Sequence, residues 1–117
     1  MFKNASVTIV VDDLKKAEQF YVETLGFEVQ FQVEGHLIQV EARGLSIGLV
    51  HPREGQNSFP GQSGSVHIGL EVQDLESAIE LLQSRGVDFQ AIMEEEATRI
   101  AYFSDPEGNP LYLIELK

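Results

Sequence analysis

The chain contains no cysteine and no tryptophan, and it carries few basic residues. Without cysteine it cannot form a disulfide framework, a zinc–thiolate site or a thiol nucleophile. Eight Lys and Arg residues stand against nineteen Asp and Glu residues, which gives a formal net charge of −11. A surface that follows nucleic-acid phosphates needs an excess of basic residues, so we expect no nucleic-acid partner.

Long apolar runs are also missing. No stretch approaches the ~20 residues that cross a bilayer, and the N-terminus lacks the apolar core of a signal peptide. A length of 117 residues with 43% hydrophobic residues suits one compact domain,. We therefore expect an acidic, cytoplasmic, single-domain protein with no membrane partner.

The sequence contains an internal repeat, in which residues 6–14 align with residues 67–75. Both segments alternate apolar residues as a strand does, and both lead directly into a helical pattern. The matched residues are Val7, Ile9 and Val11 with Ile68, Leu70 and Val72, then Asp13-Leu14 with Asp74-Leu75, and Ala17 with Ala78. Chance similarity is the alternative, because strand–helix patterns are common, but the shared order of elements favours a repeat.

Each half continues in the same order of elements. Asp13 and Asp74 are suited to cap the helices, and Gly26 and Gly86 stand where a helix would end. The segments that follow predict strands at 27–33, 36–42 and 45–51, and at 87–92, 99–104 and 111–116, with a turn at 105–109,. The pattern predicts a βαβββ module at 1–51, a linker at 52–65 and a second module at 66–117. Whether modules pair within one chain or between two chains stays open.

The predicted strands have two different faces. One face is uniformly aliphatic, as expected beneath a helix, whereas the other mixes small, polar, aromatic and titratable residues. We interpret the mixed face as the lining of a cavity or groove, the alternative being a solvated face. Its members are Ser6, Thr8, Val10, Ser46, Gly48, Val50, His67, Gly69, Glu71, Pro110, Tyr112 and Ile114.

Several motifs of the chain resemble those of the glyoxalase, bleomycin-resistance and dioxygenase superfamily, also called the vicinal oxygen chelate superfamily. They are Val11-Asp12-Asp13-Leu14, Phe20-Tyr21, Leu25-Gly26-Phe27, His67-Ile68-Gly69-Leu70-Glu71-Val72 and Phe103-Ser104-Asp105-Pro106-Glu107-Gly108-Asn109. The resemblance implies an α+β fold in which two βαβββ modules form a curved mixed-sheet cup with helices on its outer face. It further implies a small-molecule ligand and a homodimer.

Metal-dependent members of that superfamily carry a ligand at four equivalent strand positions. By resemblance these positions are Ser6, Gly48, His67 and Tyr112 in this chain. Only His67 is a good ligand for a divalent metal near neutral pH, because Gly48 has no side chain, Ser6 offers a weak hydroxyl and a tyrosine phenol normally stays protonated. A catalytic metal generally needs about three protein donors, so we expect no metal and no other cofactor.

These observations predict a metal-free protein that binds and sequesters a small molecule, cationic or aromatic in character. The expected ligand-binding residues are Ser6, Thr8, Gly48, His67, Glu71 and Tyr112. His67 and Tyr112 are also the candidates for a catalytic role, although the incomplete ligand set argues against an enzyme. The alternatives are a metal-dependent lyase, isomerase or dioxygenase of the same superfamily, and a regulatory or scaffold module.

Overall fold

The computed structural model describes residues 1–52 and 66–117. The chain divides into two compact units, Met1–Gln62 and Ser63–Lys117. We call them the first and second module. The predicted linker at 52–65 lies outside the described residues except for Pro52.

Each module contains the element order βαβββ, so the predicted α+β class and its repeated pattern are confirmed. In the first module the elements are β1 (Val7–Val10), α1 (Leu14–Glu18) with a π-helical continuation (Gln19–Thr24), β2 (Glu28–Val33), β3 (Leu37–Ala42) and β4 (Leu45–Val50). In the second they are β5 (Ile68–Glu71), α2 (Leu75–Ser84), β6 (Ala91–Glu94), β7 (Thr98–Ser104) and β8 (Pro110–Leu116).

Each module has a four-stranded mixed sheet with the same topology. The strand orders are β1-β4-β3-β2 and β5-β8-β7-β6. The first and last strands of each module pair in parallel, and the other neighbours pair antiparallel. Thr8 lies beside Gly48 in the first sheet, and Gly69 lies beside Tyr112 in the second. The two pairs are therefore equivalent, as the alignment of the repeats predicts.

The helices cover the aliphatic face of each sheet. Helix α1 packs on β3 and β4, and helix α2 packs on β7 and β8. The buried aliphatic residues of the predicted core face are Val11, Ile47, Leu49, Ile68, Leu111 and Leu113. Val7 at the start of β1 remains 37% exposed, whereas the equivalent Ile68 of β5 is buried. Within the described ranges, neither helix is long and apolar enough to span a membrane.

Both helices begin and end as the sequence predicts. The Lys16 N–H donates to the Asp13 carboxylate at 3.0 Å, and the Ser77 N–H donates to the Asp74 carboxylate at 3.2 Å. Gly86 follows α2 at φ +94°, a conformation that L side chains rarely adopt,. There the Val87 N–H donates to the Leu82 carbonyl at 3.0 Å, which closes the end of the helix.

The strand predicted at 87–92 lies further along the chain than expected. Val87 is buried at the end of α2, and Phe89 packs against Phe103 with ring centroids 5.3 Å apart. Pairing with β7 begins only where the Gln90 N–H donates to the Tyr102 carbonyl at 2.8 Å. The first residues after the helix therefore close its end and fill the core, and strand β6 starts at Ala91.

The end of the first helix departs from α-helical geometry. The Leu25 N–H donates to the carbonyl of Phe20, five residues earlier, at 2.9 Å, which is the π-helical pattern. Tyr21 lies within this segment, fully buried, with its ring centroid 5.3 Å from that of Phe20 and 5.8 Å from that of Phe27. The wider turn thus coincides with an aromatic contact that anchors the helix to the module core.

The turn between β7 and β8 is held by the buried carboxylate of Asp105. One of its oxygens accepts from the Glu107 and Asn109 N–H groups, both at 2.9 Å, and the other accepts from the Asn109 side-chain amide at 2.8 Å. These bonds satisfy a buried charge with several donors. They also fix the register in which β7 faces β8.

Glu115 of β8 provides a second anchor for α2. Its carboxylate accepts the Leu75 N–H at 2.7 Å, a helix-terminal donor without an intrahelical partner,. We predict that Glu115→Ala lowers the free energy of unfolding by about 1–2 kcal/mol, measured by urea denaturation. The matched control is Glu80→Ala, which removes an exposed carboxylate from the same helix. Equal stabilities of the two variants would contradict this role.

Asp74 makes the stability of the second module depend on pH. The Ser77 N–H, the Ser77 hydroxyl, the Glu76 N–H and nearby Arg99 lower the pKa of Asp74 from its ordinary 3.8, with partial desolvation opposing them. The folded state therefore favours the carboxylate, and this contribution is present above pH 3.8 and lost as pH falls through the lowered pKa. We predict that Asp74→Ala is destabilising at neutral pH, and that the difference shrinks on acidification. A difference that grows in acid would contradict the assignment.

Candidate functional site

The sheet face opposite the helix, here called the open face, carries the predicted ligand-binding residues of each module. Thr8 and Gly48 share the open face of the first sheet, and Glu71 and Tyr112 share that of the second. Ser6 and His67 immediately precede β1 and β5. Alternation continued back along each strand adds Ser6 to the first set and His67 to the second.

On the first open face, Gly48 is buried between neighbouring side chains and leaves a notch of about methyl size. A Cβ built at Gly48 would lie 3.5 Å from Thr8 Oγ1, 3.6 Å from Leu37 Cδ1 and 3.8 Å from Gln39 Oε1. The walls of the notch are therefore a hydroxyl, an aliphatic side chain and an amide. A ligand resting on this face would meet both polar and apolar groups here.

On the second open face, the Tyr112 ring leans across β5 and covers Gly69. A Cβ built at Gly69 would overlap the ring at its hydroxyl-bearing end. Tyr112 is half-buried, and its strand neighbour Gly69 is exposed. Gly48 on the last strand of the first module corresponds to Tyr112 on the last strand of the second, and Thr8 corresponds to Gly69. The glycine and the larger residue have therefore exchanged strands between the modules.

Tyr102 joins this face, although the sequence analysis did not include it. It pairs with Tyr112 across β7 and β8, and the two ring centroids are 6.0 Å apart at an interplanar angle of 52°. Tilted rings at this distance attract each other. The signal was available in the alternation of β7, in which Ile100, Tyr102 and Ser104 share one face.

Glu71 and His67 flank the position that the Tyr112 ring covers. Glu71 lies beside Ile114 in the parallel ladder, and its side chain is exposed. His67 is exposed as well. The open face of the second module therefore combines the imidazole and the carboxylate of the β5 segment with a phenol from β8 and a second phenol from β7.

The residues present do not suit the metal that the superfamily's enzymes use. Of the four equivalent positions only His67 carries an ordinary neutral-pH ligand, and Gly48 has no side chain,. Among residues 1–52 and 66–117, no three His, Asp or Glu side chains gather as a metal ion would require. The absence of a bound metal stays a prediction, and its basis is the chemistry of these donors.

Arg99 is engaged in ion pairs within the second module. Its guanidinium lies 3.4 Å from Glu76 and 3.5 Å from Glu94, and Lys117 lies 3.3 Å from Glu94. The buried Nε meets the carboxylate of Glu94 only at this ion-pair distance, without a hydrogen bond. Exposed pairs of this kind contribute roughly 0–1 kcal/mol each. Arg99 faces the helix side of the sheet, away from the predicted ligand-binding residues.

The helix side of the first module has a groove that the sequence analysis did not anticipate. Its volume is about 590 Å³, and it lies between the start of α1 and the β2–β3 hairpin. The lining residues are Leu14, Lys15, Glu18, Gln32, Glu34, Gly35 and Ile38. None of the predicted ligand-binding residues contributes to it.

Comparison with known protein families identifies this arrangement. The profile of the Glyoxalase/Bleomycin resistance protein/Dioxygenase superfamily matches residues 4–113. The chain belongs to this superfamily. The resemblance read from the sequence motifs is thereby confirmed, and the topology of the two modules agrees with it.

Two solved structures and a curated protein resemble this chain along nearly its whole length. TnmS3, an antibiotic binding protein from Streptomyces sp. CB03234, is 31% identical with a TM-score of 0.74, covering 100% of this chain and 99% of its own. A glyoxalase/bleomycin resistance protein from the same organism is 34% identical with a TM-score of 0.70, covering 95% and 98%. YwkD of Bacillus subtilis (strain 168) is 28% identical over 120 residues, 93% of each chain.

The two glycines of the open faces should respond differently to alanine. Gly48→Ala adds a Cβ at ordinary contact distances, and we expect it to raise the free energy of unfolding by roughly 0.5 kcal/mol through reduced chain entropy. Gly69→Ala must displace the Tyr112 ring, and we expect a loss of about 1 kcal/mol. Urea denaturation measures both values.

Near-ultraviolet circular dichroism provides the second readout for this pair, because the chain has three tyrosines and no tryptophan. The tyrosine signal should change in Gly69→Ala and stay as in the unmodified protein in Gly48→Ala. An unchanged tyrosine signal in Gly69→Ala would show that the ring does not rest on Gly69.

Proposed function

We propose that this protein binds and sequesters a small organic molecule without using a metal ion. The observation that carries the proposal is the content of the four superfamily ligand positions, which hold Ser6, Gly48, His67 and Tyr112. Donors for a catalytic metal have been replaced there by groups that can contact an organic ligand: a hydroxyl, an empty position, an imidazole and a phenol.

The form of the open faces supports this proposal. The notch at Gly48 is bordered by the Thr8 hydroxyl and the Gln39 amide, with Leu37 providing apolar contact. The second module contributes His67, Glu71 and Tyr112 to its own open face. A few polar groups beside apolar contacts are the usual lining of small-molecule sites.

The similarity to TnmS3 supports an organic, drug-like ligand. That protein is an antibiotic binding protein, and its similarity extends over the entire chain. A comparable role for this chain requires affinity alone, because sequestration needs no chemical step. His67 and Tyr112 accordingly have binding roles in our proposal, in which they orient the ligand by hydrogen bonds.

The charge of the chain favours a cationic ligand. A net charge of −11 raises the local concentration of cations and repels anions,. The tyrosines of the second module supply aromatic surface for a ring system, since tryptophan is absent,. We therefore propose a cationic, aromatic compound as the preferred ligand. A homodimer, which the superfamily resemblance implies, and a cytoplasmic location, which the composition favours, are parts of the same proposal.

A series of flat tricyclic molecules of similar shape tests this function. Proflavine is cationic near pH 7, acridone is neutral and 9-anthracenecarboxylate is anionic. We predict by isothermal titration calorimetry that affinity falls in that order, and that Gly48→Leu weakens binding of proflavine roughly tenfold by filling the notch. Gln83→Leu, which adds the same side chain to the exposed surface of α2, is the control.

Two results would contradict the proposed function. One is the absence of binding by all members of the series together with a broader panel of cationic aromatic compounds. The other is a stoichiometric divalent metal in the purified protein that is lost in His67→Ala, measured by elemental analysis. The latter would favour a metal-dependent lyase, isomerase or dioxygenase.

A further inference from the structure

Gly69 determines where the phenol of Tyr112 lies. Because Gly69 has no side chain, the ring can lean from β8 over the neighbouring strand, and its hydroxyl-bearing end rests where a Cβ would otherwise stand. Any larger residue at this position would push the ring away. Gly69 is therefore a positioning residue for Tyr112.

The same arrangement brings the ring close to a carboxylate. Glu71 follows Gly69 by two residues on the same face of β5, and alternate residues of a strand are about 6.6 Å apart,. The ring end above Gly69 is consequently about 6.6 Å along the strand from the point where the Glu71 side chain begins,. The second ring, that of Tyr102, stands 6.0 Å from Tyr112 on the far side.

Charge on this face has one sign. Among the positions of β5 to β8 that face the open side of the second sheet, Glu71 is the only Asp, Glu, Lys or Arg. The basic residues Arg99 and Lys117 are paired with acidic residues elsewhere in the module. An exposed carboxylate next to aromatic rings, without a basic neighbour on its face, suits a positively charged group.

We propose that Glu71, Tyr112 and Tyr102 form a subsite for an organic cation, positioned by Gly69. The carboxylate of Glu71 neutralises the charge of the ligand, and the rings attract it through their electron-rich faces. This inference rests on the proposed binding function and adds to it the groups that would recognise charge. The expected ligand class is an organic ammonium or a ring system with a delocalised positive charge.

The two kinds of contact can be separated by substitution. Glu71→Gln keeps the shape and removes the charge, whereas Tyr112→Leu removes the ring and Tyr112→Phe removes only the hydroxyl. Gly69→Ala keeps every side chain of the subsite but displaces the Tyr112 ring. Glu80→Gln, at an exposed position of α2, changes the net charge of the chain by the same amount as Glu71→Gln and serves as the control.

The experiment measures the affinity for proflavine and for neutral acridone in each variant by fluorescence anisotropy. We expect Glu71→Gln to weaken proflavine binding about fivefold, as for a partly exposed ion pair, and to leave acridone binding unchanged. Glu80→Gln should match the unmodified protein. Tyr112→Leu and Gly69→Ala should weaken proflavine at least as strongly as Glu71→Gln, and Tyr112→Phe should retain most of the affinity because the ring remains.

The outcomes distinguish this inference from the proposed function. If acridone and proflavine bind equally well, or if Glu71→Gln behaves as Glu80→Gln does, the cation subsite is wrong while small-molecule binding stands. If Tyr112→Leu binds proflavine normally, the aromatic contribution is wrong. If none of the tricyclic compounds binds the unmodified protein, both proposals fail. Thermal unfolding of each variant verifies that a lost affinity is measured on folded protein.

Discussion

The parallel pairing of the first and last strands of each module determines the arrangement of the candidate site. It sets Thr8 beside Gly48 and Gly69 beside Tyr112. Because a parallel pair needs a crossover connection, the helix must follow the first strand and pack on one face of the sheet. Among the residues that the structure describes, no helix packs on the opposite face, which carries the residues of the candidate site.

The two modules share this strand pairing but place the glycine of the pair on opposite strands. In the first, the glycine stands on the last strand and the side chain on the first strand. In the second, the glycine stands on the first strand and the ring on the last. A repeat can thus preserve its hydrogen-bonded ladder while each copy presents a different surface. Gly48 and Tyr112, two of the positions that the resemblance assigns to metal ligands, lie within this ladder. The backbone hydrogen bonds of the ladder do not require particular side chains there, so the fold does not depend on metal ligands at these positions.

The sequence predicted the features that depend on local chemistry. Asp13 and Asp74 cap the helices, and Gly86 ends α2, because these roles follow from backbone donors and from φ. The equivalence of Gly48 and Tyr112 could be counted from turns in the sequence, since strand registers repeat with the modules. The general fold could accordingly be predicted from the pattern of apolar residues together with the resemblance to the superfamily.

The parts that the sequence did not predict depend on contacts between elements. The start of β6 is delayed because Val87 is buried at the end of α2 and Phe89 packs against Phe103, and no local preference predicts these contacts. The position of the Tyr112 ring follows from the missing side chain on a strand more than forty residues away. Tyr102 was not among the predicted residues, because it lies on the antiparallel strand β7 and the predicted face comprised only the parallel strands.

The π-helical turn of the first module accounts for a difference in length between the helical segments of the two modules. Thirteen positions separate Asp13 from Gly26, but twelve separate Asp74 from Gly86. The first copy therefore contains one additional residue between corresponding cap and stop, and the widened turn near Tyr21 takes it up. A one-residue difference in length is thus accommodated as a bulge within one helix, so that both helices still end at the corresponding glycine,.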